Sequence, residues 1–262
     1  MSVFQAKAFL KHLRHARGPH GVHSPFVFEL ITQVLVPERH FYCFDALEAE
    51  RQKWLQDGRK IHVQDLGAGS HRMKSDERSI SEISRYSLQS PDGCRLLFKL
   101  THHLGAKRYL ELGTSLGLTA AYFAHIGPQV SVTTVEGAPA LVHEAEQLYQ
   151  RLSLNNVRVL EGDFDAVISS QALADASWDV VYIDGNHRGE ATLRYAAQLW
   201  PALSPNGCMI FDDIHWSKDM EQAWLAFVKS SDVTLSLDFF RFGIAFKNAA
   251  FSKEHMVLKL NA

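Results

Sequence analysis

The sequence contains little cysteine and has no long apolar run. Its 262 residues include only three cysteines, at the widely separated positions Cys43, Cys94 and Cys208. Three such residues cannot form a disulfide framework and lack metal-ligand spacing, so buried thiols are expected. No run of about 18 apolar residues could span a membrane, and the N-terminus lacks the apolar core of an export signal. We therefore expect a cytoplasmic protein with no membrane partner.

An excess of charge of either sign is also missing. The formal net charge is −2, from 27 basic and 29 acidic residues. Without an overall attraction to polyanions, a nucleic-acid partner would need a local basic patch. Residues 7–23 are the one candidate, but they lack the interleaved aromatic residues of a base-stacking platform. A solvated helix face explains this segment, and we expect no nucleic-acid partner.

No linker rich in proline, glycine or serine divides the chain, but its patterning changes near residue 90. Residues 1–90 predict a helical extension that becomes irregular, with one short helix, between about residues 57 and 90. This extension is a candidate cover for an active site. Residues 91–262 predict the main domain.

Within residues 91–262, short apolar runs alternate with segments of helical periodicity. The predicted strands are 108–112, 130–135, 157–160, 180–183 and 209–211, and the clearest helices are 92–104, 116–126 and 139–152. Such alternation predicts an α/β fold with a doubly wound, Rossmann-like and mostly parallel sheet. Two further strand-like runs, 235–246 and 255–260, have no helical pattern between them. They predict an antiparallel pair at the C-terminal edge of the sheet.

In such a sheet, ligands bind beyond the carboxyl ends of the strands. The first strand leads into Glu111-Leu-Gly-Thr-Ser-Leu-Gly117, where glycines allow a tight turn close to a ligand. The second strand ends at Glu136, whose carboxylate can accept hydrogen bonds from ribose hydroxyls. A purely structural turn is the alternative interpretation. The loop lacks the second glycine of a dinucleotide motif and the lysine of a phosphate-binding P-loop. Glu111 instead suits a cofactor that carries an ammonium group.

The run from Leu97 to Ala124, with Leu104-Gly-Ala-Lys-Arg-Tyr-Leu-Glu-Leu-Gly-Thr114 at its centre, resembles the first motif of class I S-adenosylmethionine-dependent methyltransferases. The catechol O-methyltransferase-like branch is the most similar, over about residues 92–215. The resemblance implies S-adenosyl-L-methionine as cofactor. It implies that the glycine loop wraps the methionine part and Glu136 holds the ribose; the loop residues concerned are Gly113, Thr114, Ser115 and Gly117. Asp163 falls at the adenine position, although a helix N-cap would explain it equally well.

Polar residues also follow the fourth and fifth predicted strands, as Asp184-Gly-Asn-His187 and Asp212-Asp213-Ile-His215. Three carboxylates in one place could hold Mg²⁺ or another divalent cation, which would lower the pKa of an acceptor hydroxyl. Asp184, next to the predicted acceptor, and His187, as the general base, are the predicted catalytic residues.

The resembling family departs from this pattern at two places. It holds its metal with two aspartates and an asparagine, and it has a lysine at the position of His187. Here Asp213 stands in the asparagine's place. The Asp-Gly-Asn-His form is more similar to a branch that methylates hydroxyls on the sugars of natural products. Hydrogen-bonded structural aspartates are the alternative to a metal site.

Two other motifs compete with this interpretation. Asp65-Leu-Gly-Ala-Gly69 is a second acid-and-glycine loop, but a polar, basic segment follows it where a packed helix is required. His20 and His23 have a spacing that could suit a metal or a lid contact, yet an exposed turn explains them better.

Other functional classes also remain open. Gly113-Thr-Ser-Leu-Gly117 fits the nucleophile elbow of a serine hydrolase, with Ser115 as nucleophile and a triad completed by an aspartate such as Asp184 or Asp212 and a histidine such as His255. Such hydrolases need several strands before the elbow, and residues 1–107 offer at most one. A binding protein without catalysis is the third class, which the cluster of ionisable residues disfavours. We predict a small-molecule O-methyltransferase and leave a homodimeric assembly open.

Overall fold

The computed structural model describes residues 2–35, 38–64, 75–173 and 177–259. The chain divides into two compact units, one of Met1–Glu38 with Ser177–Ala262 and the other of Arg39–Ala176. These units do not follow the predicted division into 1–90 and 91–262, which reflects sequence character and stays a prediction. The predicted loop Asp65–Gly69 lies outside the described residues.

Helices and strands alternate over most of the described chain. The helices are α1 (Val3–His15), α2 (Pro25–Leu30), α3 (Cys43–Leu55), α4 (Ile80–Tyr86), α5 (Pro91–His103), α6 (Leu118–Ala124), α7 (Pro139–Arg151), α8 (Phe164–Ile168), α9 (Gly189–Leu199) and α10 (Lys218–Val228). The strands are β1 (Lys60–His62), β2 (Glu77–Ser79), β3 (Arg108–Leu112), β4 (Ser131–Glu136), β5 (Val157–Glu161), β6 (Trp178–Ile183), β7 (Leu203–Asp212), β8 (Leu235–Asp238), β9 (Phe242–Phe246) and β10 (Glu254–Val257).

The unit of residues 39–176 is built on three parallel strands in the order β3, β4, β5. Helix α5 leads into β3. Its N-cap is Ser90, whose side chain accepts a hydrogen bond from the amide of Gly93, and Gly105 follows the helix with a φ of 65°. This left-handed glycine ends the helix before β3. Every residue of α6 is buried, so this helix forms the centre of the unit's core.

The register of these strands places their acidic ends together. Glu136 is paired with Glu161, and the preceding residue of β4, Val135, is paired with both Leu112 of β3 and Leu160 of β5. The two residues named by the sequence pattern, Glu111 and Glu136, therefore come to the same edge of the sheet. Glu111 is buried, whereas Glu161 is exposed to solvent, so the two carboxylates have different surroundings.

The other unit contains the strands in the order β10, β8, β9, β7, β6. Strands β6 and β7 are parallel, whereas β9 is antiparallel to both β7 and β8. The predicted antiparallel C-terminal pair exists, but its members are β8 and β9. The sequence pattern predicted one strand-like run over residues 235–246. Residues 239–241 interrupt this run, and Phe240 has a φ of 70°. The last strand, β10, is parallel to β8, not antiparallel.

Most predicted elements are confirmed, with small shifts at their ends. The polar segment after residue 57 contains an unpredicted antiparallel pair, β1 with β2, beside the expected short helix α4.

All three cysteines are buried free thiols, as expected. In the ranges that the structure describes, no helix is long and apolar enough to cross a membrane.

Candidate active site

The loop between β3 and α6 has the backbone conformation that its glycines permit. Gly113, Ser115 and Gly117 have φ angles of 106°, 50° and 84°. A Cβ atom at Gly117 would lie 2.6 Å from the hydroxyl of Tyr149 and 2.9 Å from the Cβ of Ala145. Only glycine therefore fits at 117, because any side chain would combine a left-handed backbone with a clash against α7.

Glu136 ties this loop to the next helix. Its Oε2 accepts a hydrogen bond from the amide of Ser115 at 2.9 Å, and its Oε1 accepts one from the amide of Ala138 at 3.0 Å. Each carboxylate oxygen can accept a further hydrogen bond. The side chain is thus held in place and keeps the capacity to bind the hydroxyls of a ribose.

Glu111 is the most perturbed group of the loop. It is 1% exposed, and its Oε2 accepts a hydrogen bond from the hydroxyl of Thr134 at 2.5 Å. Burial raises the pKa of Glu111 to about 8, with the charge of Glu136 adding to the rise and the Thr134 hydrogen bond opposing it. The hydroxyl of Thr134 also lies 2.6 Å from that of Thr114. Side-chain contacts therefore run from Glu111 through Thr134 to Thr114 in the loop.

Three buried polar atoms around this loop lack a hydrogen-bond partner within the described part of the chain: Glu111 Oε1, the Ser115 hydroxyl and the Tyr149 hydroxyl. Buried groups in this state are rare, and they mark places where a ligand can complete the hydrogen bonding. The residues present fit a polar, cationic cofactor.

Tyr149 was not predicted from the sequence. Burial and the charges of Glu111 and Glu136 raise the pKa of its hydroxyl well above the usual value, so this group stays protonated. Its position four residues after Ala145, on the buried face of α7, is the one signal that could have identified it.

Asp163, the predicted adenine contact, is exposed and caps α8. Its side chain accepts a hydrogen bond from the amide of Ala166 at 3.2 Å. The N-cap role considered for it is therefore confirmed. A contact with adenine stays a prediction.

The predicted catalytic residues lie in the other unit, after β6 and β7. Asp184 accepts a hydrogen bond from the hydroxyl of Tyr182 at 3.1 Å. Asn186 has a φ of 57°, and its amide nitrogen donates to the hydroxyl of Tyr195 at 2.9 Å. These bonds shape the turn that leads to His187.

Asp212, Asp213 and His187 are brought close together. Burial and the negative charge of Asp212 raise the pKa of Asp213 to about 6, while electrostatic interactions with His187 and Arg241 oppose the rise. Asp213 has a φ of 51°, so the extended backbone of β7 ends at Asp212 and the side chain of Asp213 leaves the backbone in a different direction. Arg241 was missed from the sequence because it lies between two strands with no motif around it.

The predicted Mg²⁺ ligands Asp184, Asp212 and Asp213 stay a prediction. In the described ranges, the one group of three potential ligands whose atoms lie within 4.8 Å of one another is His12, His215 and Asp238. Asp184, Asp212 and Asp213 do not form such a group. The guanidinium of Arg241 also supplies positive charge next to Asp213.

The serine hydrolase alternative gains no support. A triad serine needs a base on its hydroxyl, and the Ser115 hydroxyl has no partner among the residues described. The Nδ1 atom of His255, which would face the triad acid, instead lies 2.8 Å from the hydroxyl of Ser236. Residues 19–21 form a short 3-10 helix, in agreement with the turn expected around His20.

Comparison with known proteins agrees with the motif assignment. Residues 110–214 match the family model described as a methyltransferase domain. No curated protein sequence matches the chain.

Several solved structures have a similar fold at low sequence identity. A putative caffeoyl-CoA O-methyltransferase from Staphylococcus aureus is 20% identical, with a TM-score of 0.57 over 64% of this chain and 88% of that chain. A Podospora anserina methyltransferase solved with S-adenosylhomocysteine is 13% identical, with a TM-score of 0.60 over 86% of this chain and 97% of that chain. An O-methyltransferase from Bacillus cereus, also in complex with S-adenosylhomocysteine, is 16% identical, with a TM-score of 0.55 over 85% and 97%.

These similarities establish the fold, and the family match lies on the segment that carries the glycine loop, Glu136, Asp184 and Asp212. Residues 110–214 thus resemble a methyltransferase domain, in agreement with the resemblance found in the sequence motifs, and the mostly parallel Rossmann-like fold is confirmed.

Proposed function

We propose that this protein transfers a methyl group from S-adenosylmethionine to a hydroxyl group of a small molecule. The observation that carries the proposal is the buried carboxyl of Glu111, whose Oε1 has no hydrogen-bond partner in the described chain. A group of this kind is costly unless a ligand compensates it. An α-amino acid cofactor with an ammonium group supplies that compensation.

The residues of the loop have separate roles in this proposal. The backbone of Gly113, Ser115 and Gly117 lies along the methionine part of the cofactor. Thr134 orients Glu111 toward the ammonium group, and Glu136 accepts hydrogen bonds from the ribose. When bound, the cofactor supplies a methyl group on a positively charged sulfur, which is an electrophile for an acceptor oxygen.

His187 is the proposed general base. An imidazole can take the proton of an acceptor hydroxyl as the oxygen attacks, and its charge would then be stabilised by the carboxylates of Asp212 and Asp213. Asp184 contributes a further acceptor for hydrogen bonds from a hydroxylated substrate. A protein that only bound the cofactor would have no use for these grouped ionisable residues.

The choice of a hydroxyl acceptor is supported by similarity. The solved structures include proteins named as O-methyltransferases, among them one named for caffeoyl-CoA. Because the aspartates do not form a three-ligand group, the proposal contains no metal step. Turnover should then be independent of added Mg²⁺ after chelation; a strict Mg²⁺ requirement would restore the metal-assisted mechanism.

The experiment is a transfer assay with isotopically labelled S-adenosylmethionine and a panel of phenols, catechols and sugar-bearing natural products, analysed by mass spectrometry. We expect a gain of one methyl group on an acceptor oxygen. Methylation confined to amine or thiol acceptors, with hydroxyl compounds unchanged, would contradict the proposal.

A further inference from the structure

A second cluster of chemistry-bearing side chains consists of residues that have no role assigned above in cofactor binding or base catalysis. His12 comes from α1, His215 from the segment after β7, and Asp238 from the end of β8. They are 7%, 8% and 4% exposed. Nothing in the proposed methyl transfer uses them.

His12 shows why a neutral cluster is unfavourable. Its Nε2 lies 3.2 Å from the carbonyl oxygen of Leu258, which can only accept, so Nε2 carries the hydrogen. In the neutral ring, Nδ1 then presents a lone pair. This atom lies 3.3 Å from Oδ1 of Asp238 and makes no hydrogen bond in the described structure. Two lone pairs facing each other in a buried place repel, and either a proton on Nδ1 or a metal ion bound to both atoms would remove this repulsion.

His215 approaches the same carboxylate from another side. Its Nε2 lies 2.9 Å from Oδ2 of Asp238, and its Nδ1 lies 3.6 Å from Oε1 of Glu221. The ring of Phe240 stacks on the imidazole at 5.1 Å between centroids. The ring is therefore fixed between two carboxylates and an aromatic face.

We propose that His12, His215 and Asp238 bind one divalent transition-metal ion, of the class of Zn²⁺, through two imidazole nitrogens and one carboxylate. One ligand atom from each residue lies within 4.8 Å of the other two. Tetrahedral Zn²⁺ with bonds of about 2.0–2.1 Å separates its ligand atoms by about 3.3–3.4 Å. The 3.3 Å between His12 Nδ1 and Asp238 Oδ1 agrees with that spacing.

The surroundings also resemble those of a metal site. Imidazole ligands usually donate their second N–H to a carbonyl or carboxylate, which orients the ring. Leu258 provides the carbonyl for His12, whereas Nδ1 of His215 makes no hydrogen bond in the described chain and has the carboxylate of Glu221 at 3.6 Å. The ligating carboxylate of Asp238 accepts the amide of Phe240 at 2.7 Å. His12 and Asp238 thus each have a hydrogen-bonded partner that orients them, and His215 lies beside the charge of Glu221.

The consequence is structural. One ion would join an N-terminal helix to two segments more than 200 residues away in the sequence, within a single compact unit. A metal that binds the native state and not the unfolded state stabilises the fold by mass action. This inference does not depend on the proposed methyl transfer.

The test is metal binding to the full chain after treatment with a chelator. Zn²⁺ stoichiometry is measured by elemental analysis, affinity by competition with a chromophoric chelator, and coordination by the visible spectrum of the Co²⁺ form. We expect one ion per chain, a higher thermal midpoint with Zn²⁺, and at least a tenfold loss of affinity in His12→Gln and Asp238→Asn.

The matched control is His15→Gln, because His15 lies on the same helix but is exposed. It should bind Zn²⁺ like the unaltered protein. If His12→Gln does not fold, the nearly isosteric Asp238→Asn carries the test. Absence of stoichiometric Zn²⁺ binding by the unaltered protein would overturn the proposal. It would indicate that protons, not a metal ion, link the side chains of the cluster. Equal affinity in all variants would also overturn it, since another site would then hold the ion.

Discussion

The amide of Ser115 donates a hydrogen bond to Oε2 of Glu136 at 2.9 Å. This bond joins the glycine loop after the first strand of the domain to the acidic end of the second strand. The two features from which the sequence indicated a nucleoside site are therefore physically connected, and the loop conformation depends on the same carboxylate that we assign to the ribose.

Cofactor binding should release a proton from Glu111. Its pKa in the free protein is about 8, and an ammonium group beside it would favour the charged carboxylate. The affinity for S-adenosylmethionine should therefore rise as pH increases toward 8. Calorimetry in buffers of different ionisation enthalpy measures the protons released. Glu111→Gln removes the group, so proton release identical to that of the unaltered protein would contradict this role.

The same group makes the stability of the free protein depend on pH. The folded-state pKa of Glu111 is raised from 4.5 to about 8, so the folded state binds the extra proton between these values. Its contribution to folding is therefore fully present below pH 4.5 and is lost as pH rises toward 8.

Glu111→Gln should consequently be more stable than the unaltered protein near pH 8, by an amount on the order of a few kcal/mol, and nearly equal to it near pH 4.5. Urea unfolding at both pH values measures the difference. A constant difference across this range would contradict the assigned burial of Glu111.

Gly117→Ala should destabilise the fold and weaken cofactor binding. The added methyl group would meet Tyr149 at 2.6 Å, and alanine at a φ of 84° is strained. The expected loss in free energy of unfolding is about 1–3 kcal/mol from strain, with the clash in addition. The control is Gly105→Ala, which has a φ of 65° and no described atom within 4 Å of the new Cβ. If both variants lose the same stability, contact with Tyr149 contributes nothing.

His187→Gln should reduce kcat by about 100-fold to 10,000-fold, because a general base contributes on this scale. The dissociation constant for S-adenosylmethionine should remain unchanged. Single-turnover methyl transfer and calorimetry on the same preparation separate the two quantities. Loss of cofactor binding together with kcat would contradict the separate role assigned to His187.

Local patterns predicted the parts of the fold that depend on local chemistry. Strand 108–112 follows from a short apolar run between helical segments, and it was located correctly. The pairing of β10 with β8 was assigned the wrong direction, because strand direction at a sheet edge depends on long-range packing. The β1–β2 pair was missed since its strands are only three residues each and contain a single buried residue, Arg78, which is polar.

The site could be predicted only in part for the same reason. Motif residues at strand ends, such as Glu111 and Glu136, are determined by the alternation of strands and loops. Tyr149, Arg241 and His12 have no motif around them, so only the tertiary structure shows that they lie beside ionisable groups. The three predicted aspartates are not a group whose ligand atoms lie within 4.8 Å of one another in the described ranges, so a metal at that place stays a prediction.

The most direct measurement is calorimetric binding of S-adenosylmethionine and S-adenosylhomocysteine to the unaltered protein, to Glu136→Ala and to Glu161→Gln. Glu161 ends the neighbouring strand in register with Glu136 but is exposed, so its variant is the matched control. The account predicts that Glu136→Ala weakens binding at least tenfold, about 1.4 kcal/mol, while Glu161→Gln binds normally. Absence of binding by the unaltered protein, or equal affinity in all three proteins, would contradict it.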